Sequence, residues 1–93
     1  MEFEWDDAKS EAYFLERGFD FEYAAQAFFD PDRRVTPDTR RAYGEDCLQL
    51  MGRIDGRVLM AVYTPRARRF RIISARKANA REVQAYERHA QDP

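Results

Sequence analysis

Arg69, Arg71, Arg76 and Lys77 fall within nine residues of one another, and fourteen of the sixteen cationic side chains in the chain are arginines. A guanidinium is planar and can give two parallel hydrogen bonds to one phosphate, so such a run suits phosphate recognition and stabilisation of charge on phosphorus. Lys77 adds a point charge, or a base where it is desolvated. Tyr63 offers a ring that can stack on a nucleobase and a hydroxyl that can deliver a proton, although tyrosine is also a common strand residue. Glu45 and Glu82 could each take a proton; Glu82 is better explained as the partner of Asn79 in a capping box. His89 is the only histidine and Cys47 the only cysteine, which leaves little material for imidazole catalysis. Asp30, Asp32 and Asp38 are spaced irregularly in a proline-containing stretch, so no metal site and no cofactor are expected. The chain has no glycine-rich phosphate loop, nucleophile elbow or Cys–His pair.

These side chains need a frame, and the hydrophobic periods supply one. Glu2 to Trp5 alternates and reads as a short edge strand. Asp6 caps a helix to about Arg17, with Ala8, Ala12 and Leu15 as its apolar stripe and Gly18 at its end. Asp20 caps a second helix, where Phe21, Ala24, Ala25 and Phe28 follow the i, i+3, i+4, i+7 pattern, and Asp30-Pro31 stops it. Residues 31–45 read as a loop with one extended piece around Val35. From Asp46 the period becomes two. One strand runs to Met51, Asp55-Gly56 turns the chain, a nearly continuous apolar strand covers Val58 to Tyr63, and Phe70 to Ala75 is the last. Asn79 and Glu82 open a final helix to about Ala90.

The expected fold is therefore a single α+β domain over residues 1–93, ordered β-α-α-β-β-β-α, with an antiparallel sheet packed by helices on one face. Strand parity places Leu48, Leu50, Val58, Met60, Val62, Phe70 and Ile72 on the covered face. Gln49, Ala61, Tyr63, Arg69 and Arg71 then fall on a free face, a platform for RNA. Phe14, Phe19, Phe29 and Tyr13 exceed what the helical stripes can bury and are expected to meet a partner.

Composition supports a globular chain, 44% hydrophobic and 35% charged. The net charge of −1 conceals a division: residues 1–46 balance to −7 and residues 47–93 to +6. A polarised chain of this kind can present a basic face to nucleic acid. No stretch approaches 18 apolar residues, and Met1-Glu2-Phe3-Glu4 lacks a basic, hydrophobic leader, so neither a membrane span nor a secretory signal is expected. A lone cysteine fits the reducing cytoplasm.

The order of short motifs resembles the BrnT family of toxins. It starts with Trp5-Asp6 and Lys9, continues through Gly18, Phe21, Ala24-Ala25 and Phe28-Phe29-Asp30-Pro31, and resumes with Tyr43-Gly44-Glu45, Gly52, Asp55-Gly56-Arg57 and Val62-Tyr63-Thr64. The most specific piece is Arg71-Ile72-Ile73-Ser74-Ala75-Arg76-Lys77-Ala78, followed by Glu82 and Tyr86. The resemblance implies a RelE-like fold and an endoribonuclease that inhibits translation by cleaving RNA, alone or on the ribosome. It also implies a BrnA-like ribbon-helix-helix antitoxin as partner, DNA contact only through that antitoxin, and assembly as a homodimer or heterotetramer. Metal-free cleavage of RNA aligns the 2′-hydroxyl with the adjacent phosphate, stabilises the phosphorane and assists proton transfer. Arg71, Arg76, Tyr63, Lys77 and Glu45 are the candidates for those tasks. The chain departs from the family at Tyr13, Glu16, Arg17 and Cys47, and at Val83, Gln84 and Ala85. A second reading is therefore a catalytically weak protein that binds the antitoxin and modulates repression.

Overall fold

A computed structural model describes residues 1–38 and 46–91. Their order is β1 (Glu2–Glu4), α1 (Asp7–Arg17), α2 (Phe21–Ala24) continuing as a 3₁₀ turn (Ala25–Phe29), β2 (Arg34–Pro37), β3 (Leu48–Ile54), β4 (Arg57–Arg66), β5 (Arg69–Lys77) and α3 (Ala80–Gln91). The helix starts are set by side chains that accept from otherwise unpaired amides. Asp6 accepts from Lys9 N at 3.1 Å and Asp20 from Tyr23 N at 2.9 Å. At α3, Asn79 and Glu82 cap each other reciprocally, at 2.8 and 2.9 Å.

The sheet has five strands in the order β1-β5-β4-β3-β2. The three long strands form the expected meander, and β2 adds antiparallel to β3. β1 pairs parallel with β5, Glu2 opposite Arg69 and Glu4 opposite Arg71, so the sheet is mixed rather than purely antiparallel. Asp55 and Gly56 both take positive φ, 50° and 80°, the conformation a two-residue hairpin needs. That turn sets Ile54 opposite Arg57, and hence Leu50 opposite Ala61.

This register corrects the expected parity. Residues directly opposite share a face, so Leu59, Ala61 and Tyr63 lie with Leu50, Ile54 and Ile72 in the main core, beneath Phe21, Ala24 and Phe28. Val58, Met60 and Met51 point the other way, where they pack against Tyr86 and Val83 of α3. Helices therefore cover both faces, not one. Nine-tenths burial of consecutive residues along β4 is what a strand between two layers requires.

The second helix is a single α-turn that tightens to 3₁₀. Phe21, Ala24, Ala25 and Phe28 are buried as their spacing predicts. The tightened turn lies so close to β3 that a Cβ on Gly52 would sit 2.3 Å from the Ala27 carbonyl oxygen. α1 turns a different side inward than expected. Ser10 is its buried residue and accepts from Phe21 N at 2.9 Å, and Tyr13 meets the Phe21 ring edge-on. Ala8, Ala12 and Leu15 face solvent, Leu15 at 77% exposure. Of the aromatic residues expected at a partner surface, Phe14 and Phe29 are exposed, Phe19 is buried and Tyr13 half-buried.

Candidate nucleic-acid interface

Strand β5 carries the cations, and a bulge decides where they point. Ser74 lies opposite Val62 and Ile72 opposite Tyr63, so Ile73 is an extra residue with no opposite number. Without it, alternation would send Arg71 and Arg76 to opposite faces. With it, Arg71 opposite Thr64, Ser74 opposite Val62 and Arg76 opposite Met60 all lie on the face that carries α3.

Both guanidiniums hold carboxylates. Arg71 Nη1 donates to Glu4 Oε2 at 3.2 Å, with each side chain about one-third exposed. Arg76 donates through Nη1 and Nη2 to the two carboxylate oxygens of Glu82, each at 2.8 Å. The hydrogen bonds to Glu82 raise the Arg76 pKa, against the opposing effect of burial. Glu82 is also the carboxylate that accepts from Asn79 N. The Arg76 fork thus ties the start of α3 to the sheet, and shows the planar two-bond geometry that would equally suit a phosphate.

The remaining candidates separate. Tyr63 is 5% exposed and sits among Phe28 and Phe70, at centroid distances of 4.9 and 5.2 Å. Burial pushes its phenol above the ordinary value, with Arg33 acting in the opposite sense. Its ring is committed to the core, which corrects its expected place beside Arg71 on a free face. Lys77 is opposite Leu59 and so lies on the Tyr63 side of the sheet. There it lines a cavity of about 570 Å³ with Arg17, Arg57 and Phe19. Glu45 lies outside the described residues, as does the Tyr43-Gly44-Glu45 motif. The structure therefore puts Arg71 and Arg76 on one face, five residues apart along β5, and puts Tyr63 and Lys77 on the other. Among the described residues, no group of His, Cys, Asp and Glu is placed to hold a metal ion.

The α3 face also collects Arg34, Arg53, Glu87 and Arg88, which the sequence did not single out, with Asp30, Asp32, Tyr86 and His89. α3 crosses the sheet over Met51 and Met60, and its two flanks differ in charge. On one flank Asp30 accepts from Tyr86 Oη, from Arg53 N at 2.7 Å and from Asp32 N at 2.8 Å. Burial works against ionisation of Asp30, but these hydrogen bonds outweigh it and hold its carboxyl below the ordinary value. Burial and the bond to Asp30 push the Tyr86 phenol up to about 12. Asp32 and Glu87 line the same side. On the other flank Arg34, Arg88 and His89 surround a hollow of about 370 Å³. Next to that hollow a cross-strand row runs from β2 to β5 through Thr36, Gln49, the buried Val62 and Ser74, three polar residues with one apolar residue among them. Register was the signal that could have found this row, since the Asp55-Gly56 turn fixes which residues share a face.

Arg17, one of the departures from the family pattern, is structural here. Its Nη1 donates to the Ala75 carbonyl at 2.6 Å, and its guanidinium stands 4.2 Å from the centre of the Tyr13 ring. It caps the outer edge of β5 beyond the three residues paired with β1, where unpaired strand groups invite another chain.

No curated protein aligns significantly with this chain. A family model described as the ribonuclease toxin BrnT of type II toxin-antitoxin systems matches residues 5–82, a span that holds Glu45, Tyr63, Arg71, Arg76 and Lys77. The chain belongs to the BrnT family of type II toxin-antitoxin ribonuclease toxins.

Proposed function

We propose that the chain is a single RelE-like toxin domain that cleaves RNA in the cytoplasm without a metal, so inhibiting translation. The observation that carries this reading is the shared face of Arg71, Ser74 and Arg76 on the bulged strand. Arg71 is the phosphate ligand. Its single contact to Glu4 is partly exposed, and pairs of that kind contribute about 0–1 kcal/mol, so an incoming phosphate can exchange for the carboxylate. Arg76, held by two bonds to Glu82, fixes α3 beside the bound strand and adds its charge to the phosphorane. Glu45, in the stretch between β2 and β3, is the candidate base. Tyr63 and Lys77 act from the other side of the sheet, Tyr63 as core support for β5 and Lys77 as a peripheral cation.

Type II membership implies an antitoxin partner, and the proposal is that it is BrnA-like. The outward stripe of Ala8, Ala12 and Leu15, with Phe14 at 53% exposure beside it, offers the apolar surface such a partner would cover. Incubating a defined RNA with the purified chain, with and without the antitoxin, tests the reading. Cleavage that the antitoxin suppresses is expected. The second reading, an antitoxin-binding protein with weak catalysis, draws on the carboxylates that already occupy both forks and on the structural use of Arg17. Antitoxin binding with no cleavage by the chain alone would select it.

A further inference from the structure

Beside the C-terminal half of α3 is a hollow where two arginines from different elements converge with a histidine. Among the described residues it is lined by Arg34, Ala85, Arg88 and His89. No carboxylate among the described residues borders it, and none of the three basic side chains makes an ion pair or side-chain hydrogen bond to a described residue. Arg71 and Arg76, in contrast, both hold carboxylates. Arg34 and Arg88 are like charges brought together without a described counter-charge, so they repel one another and are stabilised when an anion enters between them. Arg34 guards an edge strand and Arg88 suits a helix C-terminus, but neither role explains why both converge with His89 on one hollow.

The register extends this argument. Arg34 is opposite Met51, on the same face as Arg71, and the polar row Thr36, Gln49 and Ser74 lies between them. Arg34 shares its cross-strand row with Met51, Met60 and Arg76, three interstrand steps or about 14 Å from β2 to β5, and Arg71 lies four β4 positions further along, so the two arginines are about 20 Å apart, a span that several nucleotides of single-stranded RNA can cover.

We infer that Arg34, Arg88 and His89 form a second phosphate subsite, which grips the RNA backbone a few nucleotides from the phosphate held at Arg71. The inference rests on the ribonuclease reading and gives its substrate a direction across the sheet, from β5 to β2. An acidic segment of a protein partner is the competing occupant. The polar row favours RNA, because a backbone with evenly spaced charges can use both ends of it.

The test uses a fluorescent ten-nucleotide RNA with 2′-O-methyl groups, which binds but cannot be cut. Its affinity is followed by anisotropy over a salt series for the wild type, Arg34→Gln/Arg88→Gln, Arg71→Gln and Arg57→Gln. Arg57 lines the cavity on the opposite face and controls for net charge. The double variant is expected to lose about tenfold in affinity per contact. Its salt slope should flatten by about 0.7 for each phosphate released. Arg57→Gln should match the wild type. Wild-type affinity and slope in the double variant, with Arg71→Gln weakened, would overturn the subsite and leave the ribonuclease reading standing. No binding by the wild type would overturn both. Unchanged RNA binding with lost antitoxin binding would reassign the cluster to the partner.

Discussion

Arg71 and Arg76 are five residues apart on one strand and yet face the same side, because Ile73 is bulged out of the β4–β5 ladder. Of the two, only Arg76 is tied to α3. Arg76 makes two 2.8 Å bonds to Glu82, whereas Arg71 makes one of 3.2 Å to Glu4. This asymmetry separates a residue that holds structure from one available to substrate.

Replacing Arg76 with Gln should therefore destabilise the chain by about 1–3 kcal/mol, because it breaks a charged pair whose partner is partly buried. Glu82→Gln should cost less, since Gln can still serve in the capping box. Urea denaturation followed by circular dichroism measures both, and a loss in Glu82→Gln with none in Arg76→Gln would place the effect in the cap instead.

Gly52→Ala is expected to be among the most damaging single changes. The added methyl meets the Ala27 carbonyl at 2.3 Å, a contact that backbone must move to relieve. A loss of about 3 kcal/mol or more follows, read as a lowered denaturation midpoint. A variant as stable as the wild type would show that the 3₁₀ turn does not press on β3.

Stability should fall at both ends of the pH range through one hydrogen bond. Asp30 titrates below its ordinary 3.8 in the folded state, so its contribution is present above pH 3.8 and is lost as pH falls through the folded value. Tyr86 is raised from 10.0 to about 12, so its contribution is present below pH 10 and is lost as pH rises toward 12. Tyr86→Phe should lower stability by about 1–3 kcal/mol at neutral pH and flatten both limbs. An unchanged pH profile in that variant would remove the bond from the account.

Much of this arrangement was legible in the residues. Asp6, Asp20 and Asn79 with Glu82 announced three helix starts, and Asp55-Gly56 announced the hairpin. The continuous apolar run of β4 also held the answer that parity missed. A strand with no polar alternate is covered twice, and the two-residue turn puts Leu50 opposite Ala61 rather than Met60. Less accessible were the parallel pairing of the three-residue β1 and the bulge at Ile73, since neither leaves a local pattern and both depend on distant partners. For the site, residue type alone gave Arg71 and Arg76. It could not separate them from Tyr63 and Lys77, which needed the register, or find Arg34 and Arg88, which needed α3 in place.

The central claim is that Arg71 acts on phosphate through directed hydrogen bonds. Cleavage of a defined RNA by the wild type and by Arg71→Lys, with denaturation midpoints measured alongside, tests it most directly. Lysine keeps the charge and loses the fork. The account predicts a fall in rate of about a hundred- to a thousand-fold, the usual cost of removing one oriented donor at a developing oxyanion, with the midpoint unchanged. A near-wild-type rate in Arg71→Lys would contradict it.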